Sequence, residues 1–193
     1  MLFDAHTHLN YAEFSEAERA ERAQEIAESD VDFIIDVGDS VASSKQAIKD
    51  AADYPWCYAT VGLHPDQAMI VTDADVEAIR ELAGAPKVQA VGEIGLDFYY
   101  GKDSRDEQVE LFRKQIRLAN ELRMPMMIHT RDADGLTKDI LLEEGAFSEE
   151  RKSWFPLRPD ENGEMISDAR VLLHCYSGSL ELAREYVKLG ATF

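Results

Sequence analysis

Long apolar runs are missing from this 193-residue chain. No stretch approaches the ~18 consecutive apolar residues that read as a bilayer-spanning helix. The first residues also lack a basic segment leading into an apolar run, because acidic and histidine residues interrupt them at once, so they do not read as a secretory leader. The cytoplasm is the expected compartment, and no membrane contact is expected. Cysteine is scarce: Cys57 and Cys175 are too few for a disulfide framework. Both fall in apolar strand patterns and read as small buried thiols, Cys175 lying beside His174. Positive charge is in short supply too, with 20 Lys and Arg against 38 Asp and Glu and a formal charge of −18. Such a field repels a long polyanion, since non-specific nucleic-acid binding depends on basic side chains neutralising phosphates. A nucleic-acid substrate would have to be gripped locally, through metal and a few basic groups.

What is present is a rhythm. Hydrophobic residues make up 45% of the chain, ample for the core of one domain spanning 1–193. Short β-rich runs at 2–9, 31–37, 57–63, 88–96, 125–129 and 171–175 alternate with helical patterns. Ser15 with Glu18, and Thr72 with Asp75, carry the spacing of helix-opening caps. Ser104 with Glu107 opens the clearest helix, which carries Val109, Phe112, Ile116 and Ala119 on one face. Further helices are expected from about 43 to 53, from 132 to about 144, and from Ser179 to Gly190, where glycine supplies the stop. Residues 191–193 would begin a seventh strand.

Strand–helix alternation with a period near 30 residues implies right-handed βαβ units and a parallel sheet. The polar residues choose between an open doubly wound sheet and a (β/α)8 TIM-type barrel. His8, His64, Glu93, His129 and His174 all fall at the carboxyl ends of different strands, which converge on one mouth in a barrel and spread along an edge in an open sheet. The barrel is therefore expected. One segment breaks the rhythm: 145–168 is a helix-to-strand connection, read as a surface excursion on the face opposite the chemistry and held by Trp154 and Phe155.

The chemistry starts from Phe3-Asp4-Ala5-His6-Thr7-His8. Strand side chains two apart share a face, so His6 and His8 present two imidazoles spaced for one metal ion. Asp4 could orient a ligand or simply meet solvent. Glu93, in Gly92-Glu93-Ile94-Gly95, is a carboxylate in a central strand, costly to bury unless paired or on a metal. His129 and His174 each end an apolar strand with an imidazole. Any one of these alone is more often a satisfied core or rim residue; jointly they favour metal. The arrangement that follows is two divalent ions, zinc, magnesium or manganese, with His6, His8 and Glu93 on one and Glu93, His129 and His174 on the other. Glu93 is then the catalytic bridging carboxylate. Two cations about 3.5–4 Å apart lower the pKa of a water and clamp the oxygens of an in-line displacement, which suits phosphodiester hydrolysis.

Asp4-Ala5-His6-Thr7-His8-Leu9, Gly62-Leu63-His64-Pro65, Gly92-Glu93-Ile94-Gly95-Leu96-Asp97, Ile128-His129-Thr130-Arg131 and His174-Cys175-Tyr176-Ser177-Gly178 together resemble the TatD-type metal-dependent deoxyribonucleases of the amidohydrolase superfamily. The resemblance spans the chain except 145–168. It implies a TIM-like barrel, a divalent metal site and hydrolysis of DNA or short single-stranded nucleic acid from the 3′ end. His6, His8, Glu93, His129 and His174 match the family's metal ligands. His64 matches a histidine near the substrate and is read as a phosphate contact, with Arg131 as a second. Such enzymes supply a further aspartate from an eighth strand, which this sequence does not reach, so the expectation is a barrel incomplete at its C-terminal end. No obligate protein partner is expected. Two rivals remain open: the same cage attacking the carbonyl of a small substrate, and a metal-binding barrel without turnover.

Overall fold

The computed structural model describes residues 1–160 and 162–193. Its main sheet takes β1 (Leu2–Thr7), β2 (Val31–Val37), β3 (Cys57–Val61), β4 (Val88–Asp97), β5 (Met126–Arg131), β8 (Val171–Leu173) and β9 (Ala191–Thr192) in that spatial order, all parallel. The helices between them are α1 (Glu16–Ala27), α2 (Val41–Asp53), α3 (Asp73–Leu82), α4 (Arg105–Glu121), α5 (Asp134–Glu143), α6 (Glu149–Ser153) and α7 (Leu180–Leu189). A doubly wound sheet reverses its strand order part-way, whereas this one advances in a single sense, as a barrel wall does. The sheet also curls: His6 on β1 brings its Nδ1 within 3.1 Å of the Met127 sulfur on β5. The result is a partial (β/α) barrel of the TIM type. Among the described residues no helix is long and apolar enough to cross a membrane.

Local chemistry accounts for most boundaries. The Ser15 hydroxyl accepts the Glu18 amide while the Glu18 carboxylate accepts the Ser15 amide, closing the reciprocal cap of α1. Asp75 accepts from the Thr72 amide and hydroxyl at 2.8 and 2.7 Å. The helix after β4 starts where expected, but not by its expected cap: Ser104 gives its hydroxyl to the Gly101 carbonyl and takes the Gln108 side-chain amide. With that oxygen already engaged, the Ser104–Glu107 box does not form. Gly190, at φ 96°, ends α7 in the left-handed region. Cys57 is buried as expected; Cys175 is not. It follows the end of β8 at φ 46°, and that left-handed turn leaves its thiol exposed.

The largest apolar cluster joins β4, β5 and β8 to α4, α5 and α7 through Phe112, Ile116, Ile128, Ile140 and Tyr186, all fully buried. A second lies under α1 and α2 around Ile34, Ala47, Ala51 and Cys57. Beside it, between β2 and α2, sit two buried carboxyls. Asp36 Oδ1 accepts the Asn10 amide and Asp50 Oδ1 accepts the Gln46 side chain. The second oxygen of each lacks a hydrogen-bond donor among the described residues, the Arg19 guanidinium standing 4.0 Å from that of Asp50. One proton held between them would satisfy both oxygens. Burial pushes the Asp36 carboxyl up to about 8 and that of Asp50 up as well.

The excursion at 145–168 includes Glu161, which lies outside the described residues. Around it, β6 (Arg158–Pro159) pairs antiparallel with β7 (Met165–Ile166), and Asp160 Oδ1 accepts the amides of Asn162 and Glu164. Its buried anchor is Arg151 on α6, which donates to the Ala169 and Met124 carbonyls and to Asn120 Oδ1 at 2.7–2.9 Å. Phe155 and Trp154 lie against that guanidinium.

Candidate metal centre

Five imidazoles and one carboxylate converge at the carboxyl ends of β1, β3, β4, β5 and β8. The alternation of β1 places His6 and His8 on one face with their Nε2 atoms 3.1 Å apart. His8 Nδ1 lies 3.0 Å from the Val37 carbonyl oxygen. A carbonyl can only accept, so Nδ1 carries the hydrogen and Nε2 presents its lone pair to the centre. Asn10 donates to the same carbonyl at 2.8 Å and pins the turn after the strand. Asp4 accepts the backbone amide of His6 at 3.1 Å, so it steadies the main chain of that histidine rather than its ring.

Glu93 is the hub and is 4% exposed. Its Oε1 lies 2.6 Å from His174 Nε2 and 2.8 Å from His129 Nδ1. Its Oε2 lies 3.5 Å from His6 Nε2 and 4.0 Å from His8 Nε2. Among the described residues every ion-pair partner of Glu93 is a histidine. Burial acting alone would raise its pKa, but the hydrogen bonds from His129, His174 and His6 outweigh burial and hold it well below the usual carboxylate range.

The structure brings all five sequence-derived ligands together but divides them differently. His6, Glu93 and His174 form one group and His64, Glu93 and His129 another, the donor atoms within each lying within 4.8 Å of one another. His174 thus joins His6, their rings stacked 3.7 Å apart and 9° from parallel. His8 sits at the rim, its side chain 38% exposed. His64, read from sequence as a phosphate contact, lies 4.6 Å ring to ring from His129. Its Nδ1 is 3.0 Å from Asp66 Oδ1. Burial would lower its pKa, but Asp66 and Glu93 prevail and raise it. Arg131 is exposed at the end of β5, its guanidinium over the rings of Tyr99 and Tyr100.

Three positioning residues carry no site role in the sequence reading. Asp97, 4% exposed, places Oδ2 3.2 Å from His129 Nε2, so His129 stands between two carboxylates. Gln115 clamps both backbone groups of Leu63, the residue before His64, at 2.8 Å each. Gln108 does the same for Asp97, at 2.8 and 3.0 Å. Both glutamines are fully buried. Their signal was available: two amides seven residues apart on an otherwise apolar helix face need buried partners. Gly95, at φ 151°, is required by close approach, because a Cβ there would fall 1.9 Å from the His129 carbonyl oxygen.

The donor set fits divalent cations. Imidazole nitrogens and a shared, ionised carboxylate are ligands for zinc and for manganese, and the second contacts of His8 and His129 are the carbonyl and carboxylate that usually orient ligating imidazoles.

A one-sense parallel barrel wall with such a cluster at its carboxyl rim defines a (β/α) barrel of the metal-site type. The chain belongs to the TatD family: the model described as TatD related DNase matches residues 3–193. It is 36% identical over 189 residues to a Bacillus subtilis protein named "uncharacterized metal-dependent hydrolase YabD", covering 98% of this chain and 66% of that one. Against the Escherichia fergusonii "3'-5' ssDNA/RNA exonuclease TatD" the identity is 31%, over 98% and 65% of the two chains. The crystal structure of YJJV, a TatD homologue from Escherichia coli K12, superposes with a TM-score of 0.79 at 25% identity, covering 98% of this chain and 66% of that one. This chain therefore spans about two thirds of the length of these relatives.

Proposed function

We propose that this chain carries the metal centre of a phosphodiester hydrolase that acts on single-stranded nucleic acid and removes nucleotides from the 3′ end. The observation that carries the reading is Glu93, a buried, ionised carboxylate whose two oxygens face different histidines. His6, His8 and His174 with Glu93 would hold one divalent ion, and His129 with Glu93 a second. When bound, such a pair supplies Lewis-acid activation of a water and of the phosphate. The chain's own residues do the rest. Glu93 stays ionised and shared, Val37 fixes the tautomer of His8, and Asp97 fixes the orientation of His129. His64, backed by Asp66, and Arg131 offer donors to the phosphate oxygens. The direction of digestion rests on the name of the Escherichia fergusonii relative.

The test is metal content of the purified chain, then hydrolysis of a short single strand after chelation and after restoring zinc, magnesium or manganese. Metal-dependent release of mononucleotides supports the proposal. Stoichiometric metal with no cleavage of any strand, but with turnover of a small ester or amide, would transfer the centre to carbonyl chemistry.

A further inference from the structure

The loop after β4 reads Asp97-Phe98-Tyr99-Tyr100-Gly101, and its conformation is imposed by one side chain. Asp97 Oδ1 accepts the amides of both Tyr99 and Tyr100 at 2.9 Å, a short-range turn of the kind aspartate favours. Its other oxygen faces His129. A single buried carboxylate therefore ties a histidine of the metal centre to two consecutive tyrosines. Those tyrosines are not tucked away: Tyr99 is 50% exposed and Tyr100 74%. Their rings stand 4.7 Å apart and perpendicular. Asp97 and Arg131 are register partners across β4 and β5, and the Phe98 amide donates to the Arg131 carbonyl at 2.9 Å. That register carries the Arg131 guanidinium to 4.2 Å from the Tyr99 ring centre and 4.7 Å from that of Tyr100. A cleft of about 440 Å³ is lined by Tyr100 and His64 together with Asp66, Asp97, Asp103 and Gln108, within the size of small-ligand sites; its acidic lining favours an uncharged base there over a phosphate.

We propose that Tyr99, Tyr100 and Arg131 form a stacking platform for an unpaired nucleobase next to the phosphodiester held at the Glu93 centre, a reading that rests on the phosphodiesterase function above. Aromatic and guanidinium faces accept any base, because every base has a π-face, and they do so without a charge match. That matters on a chain of charge −18, where the long-range field opposes the substrate. A duplex keeps all but its terminal base faces stacked inside, so the platform favours single strands, whose bases are free to stack along it. Arg131, steadied over the rings, keeps its edge N–H groups for the phosphate beside the stacked base.

Binding is measured by fluorescence polarisation with a hydrolysis-resistant phosphorothioate pentathymidylate and with its abasic counterpart, which has the same phosphates and no bases. The magnesium- or manganese-loaded protein is compared with Tyr99→Ala, Tyr100→Ala and Tyr100→Trp. The parent is expected to prefer the strand with bases by on the order of tenfold or more, each alanine change to remove on the order of tenfold from that strand alone, and tryptophan to keep the preference. Both tyrosines are exposed, and circular dichroism melts verify that the variants fold. Equal binding with and without bases, or an undiminished preference in both alanine variants, overturns the platform and leaves a tyrosine pair that only caps Arg131. Cleavage of ordinary pentathymidylate is scored separately. Base preference without cleavage keeps the platform and sinks the nuclease reading; cleavage without base preference does the reverse.

Discussion

Replacing Asp36 with asparagine removes one ionisable group from a fully buried pair while keeping its shape. The new amide donates to Asp50, and the retained oxygen still accepts the Asn10 amide. In the parent, folding binds a proton that the unfolded chain would release, because burial lifts the Asp36 carboxyl from 3.8 to about 8. The sign follows from linkage: a group whose folded pKa is raised contributes stability that is complete below the unfolded value and is lost as pH rises toward the folded one. The parent should therefore lose stability between about pH 4 and pH 8, relative to Asp36→Asn. At about 1.4 kcal/mol for each tenfold difference in proton affinity, the ceiling is on the order of 5 kcal/mol. About half of that should be reached near pH 6. Urea unfolding at pH 4.5, 6 and 8 reads it directly: the gap between the two midpoints should widen by about two molar from the lowest pH to the highest, in the variant's favour, given a slope of roughly 2 kcal/mol per molar. Midpoints of parent and variant that move in parallel across this range would refute the shared-proton account.

Glu93→Gln should release bound metal and abolish phosphodiester cleavage while lowering the melting temperature by only a few degrees; metal analysis, a nuclease assay and a thermal melt check the three together, and near-parent turnover would sink the shared carboxylate. His64→Ala should raise the KM for a short single strand about tenfold with metal content intact, whereas metal loss would make His64 a ligand. Arg151→Leu orphans two backbone carbonyls and the Asn120 side-chain oxygen, each costing about 1 kcal/mol or more, so denaturant unfolding should show a loss of ~3 kcal/mol, and a loss below ~1 kcal/mol would mean that the aromatics hold the 145–168 excursion without it.

The wall and rim of the barrel were legible because parallel strands buried on both faces read as apolar runs, and because a polar residue ending such a run stands out. His129 and His174 stood out as candidates on that ground, His6 and His8 because strand residues two apart share a face, and Glu93 because a carboxylate inside an apolar strand needs a partner. The pairing of His174 with His6 was not legible, since it depends on how tightly the sheet curls. Competition for one atom defeated the Ser104 cap: the rival claimant, Gln108, lies within the same helix, but its preference for Ser104 is set by the Asp97 backbone above it. Cys175 broke its strand pattern through a left-handed turn that no apolar periodicity encodes. Arg151 was invisible for the opposite reason, since a lone arginine in Glu-Glu-Arg-Lys reads as surface charge until three acceptors surround it.

The stacked rings of His6 and His174 also constrain the order of events when the chain folds. His6 touches a side chain 121 residues further along, and the Glu93–His174 contact spans 81. Contacts of that sequence separation form only after large loops close, which places them late on the route to the native state. The cluster therefore completes itself once both flanks of the sheet have docked, and a half-folded chain offers a cation only fragments of the cage. A cation bound across these strands would act as a clasp between the early and late parts of the polypeptide, slowing unfolding far more than it speeds folding.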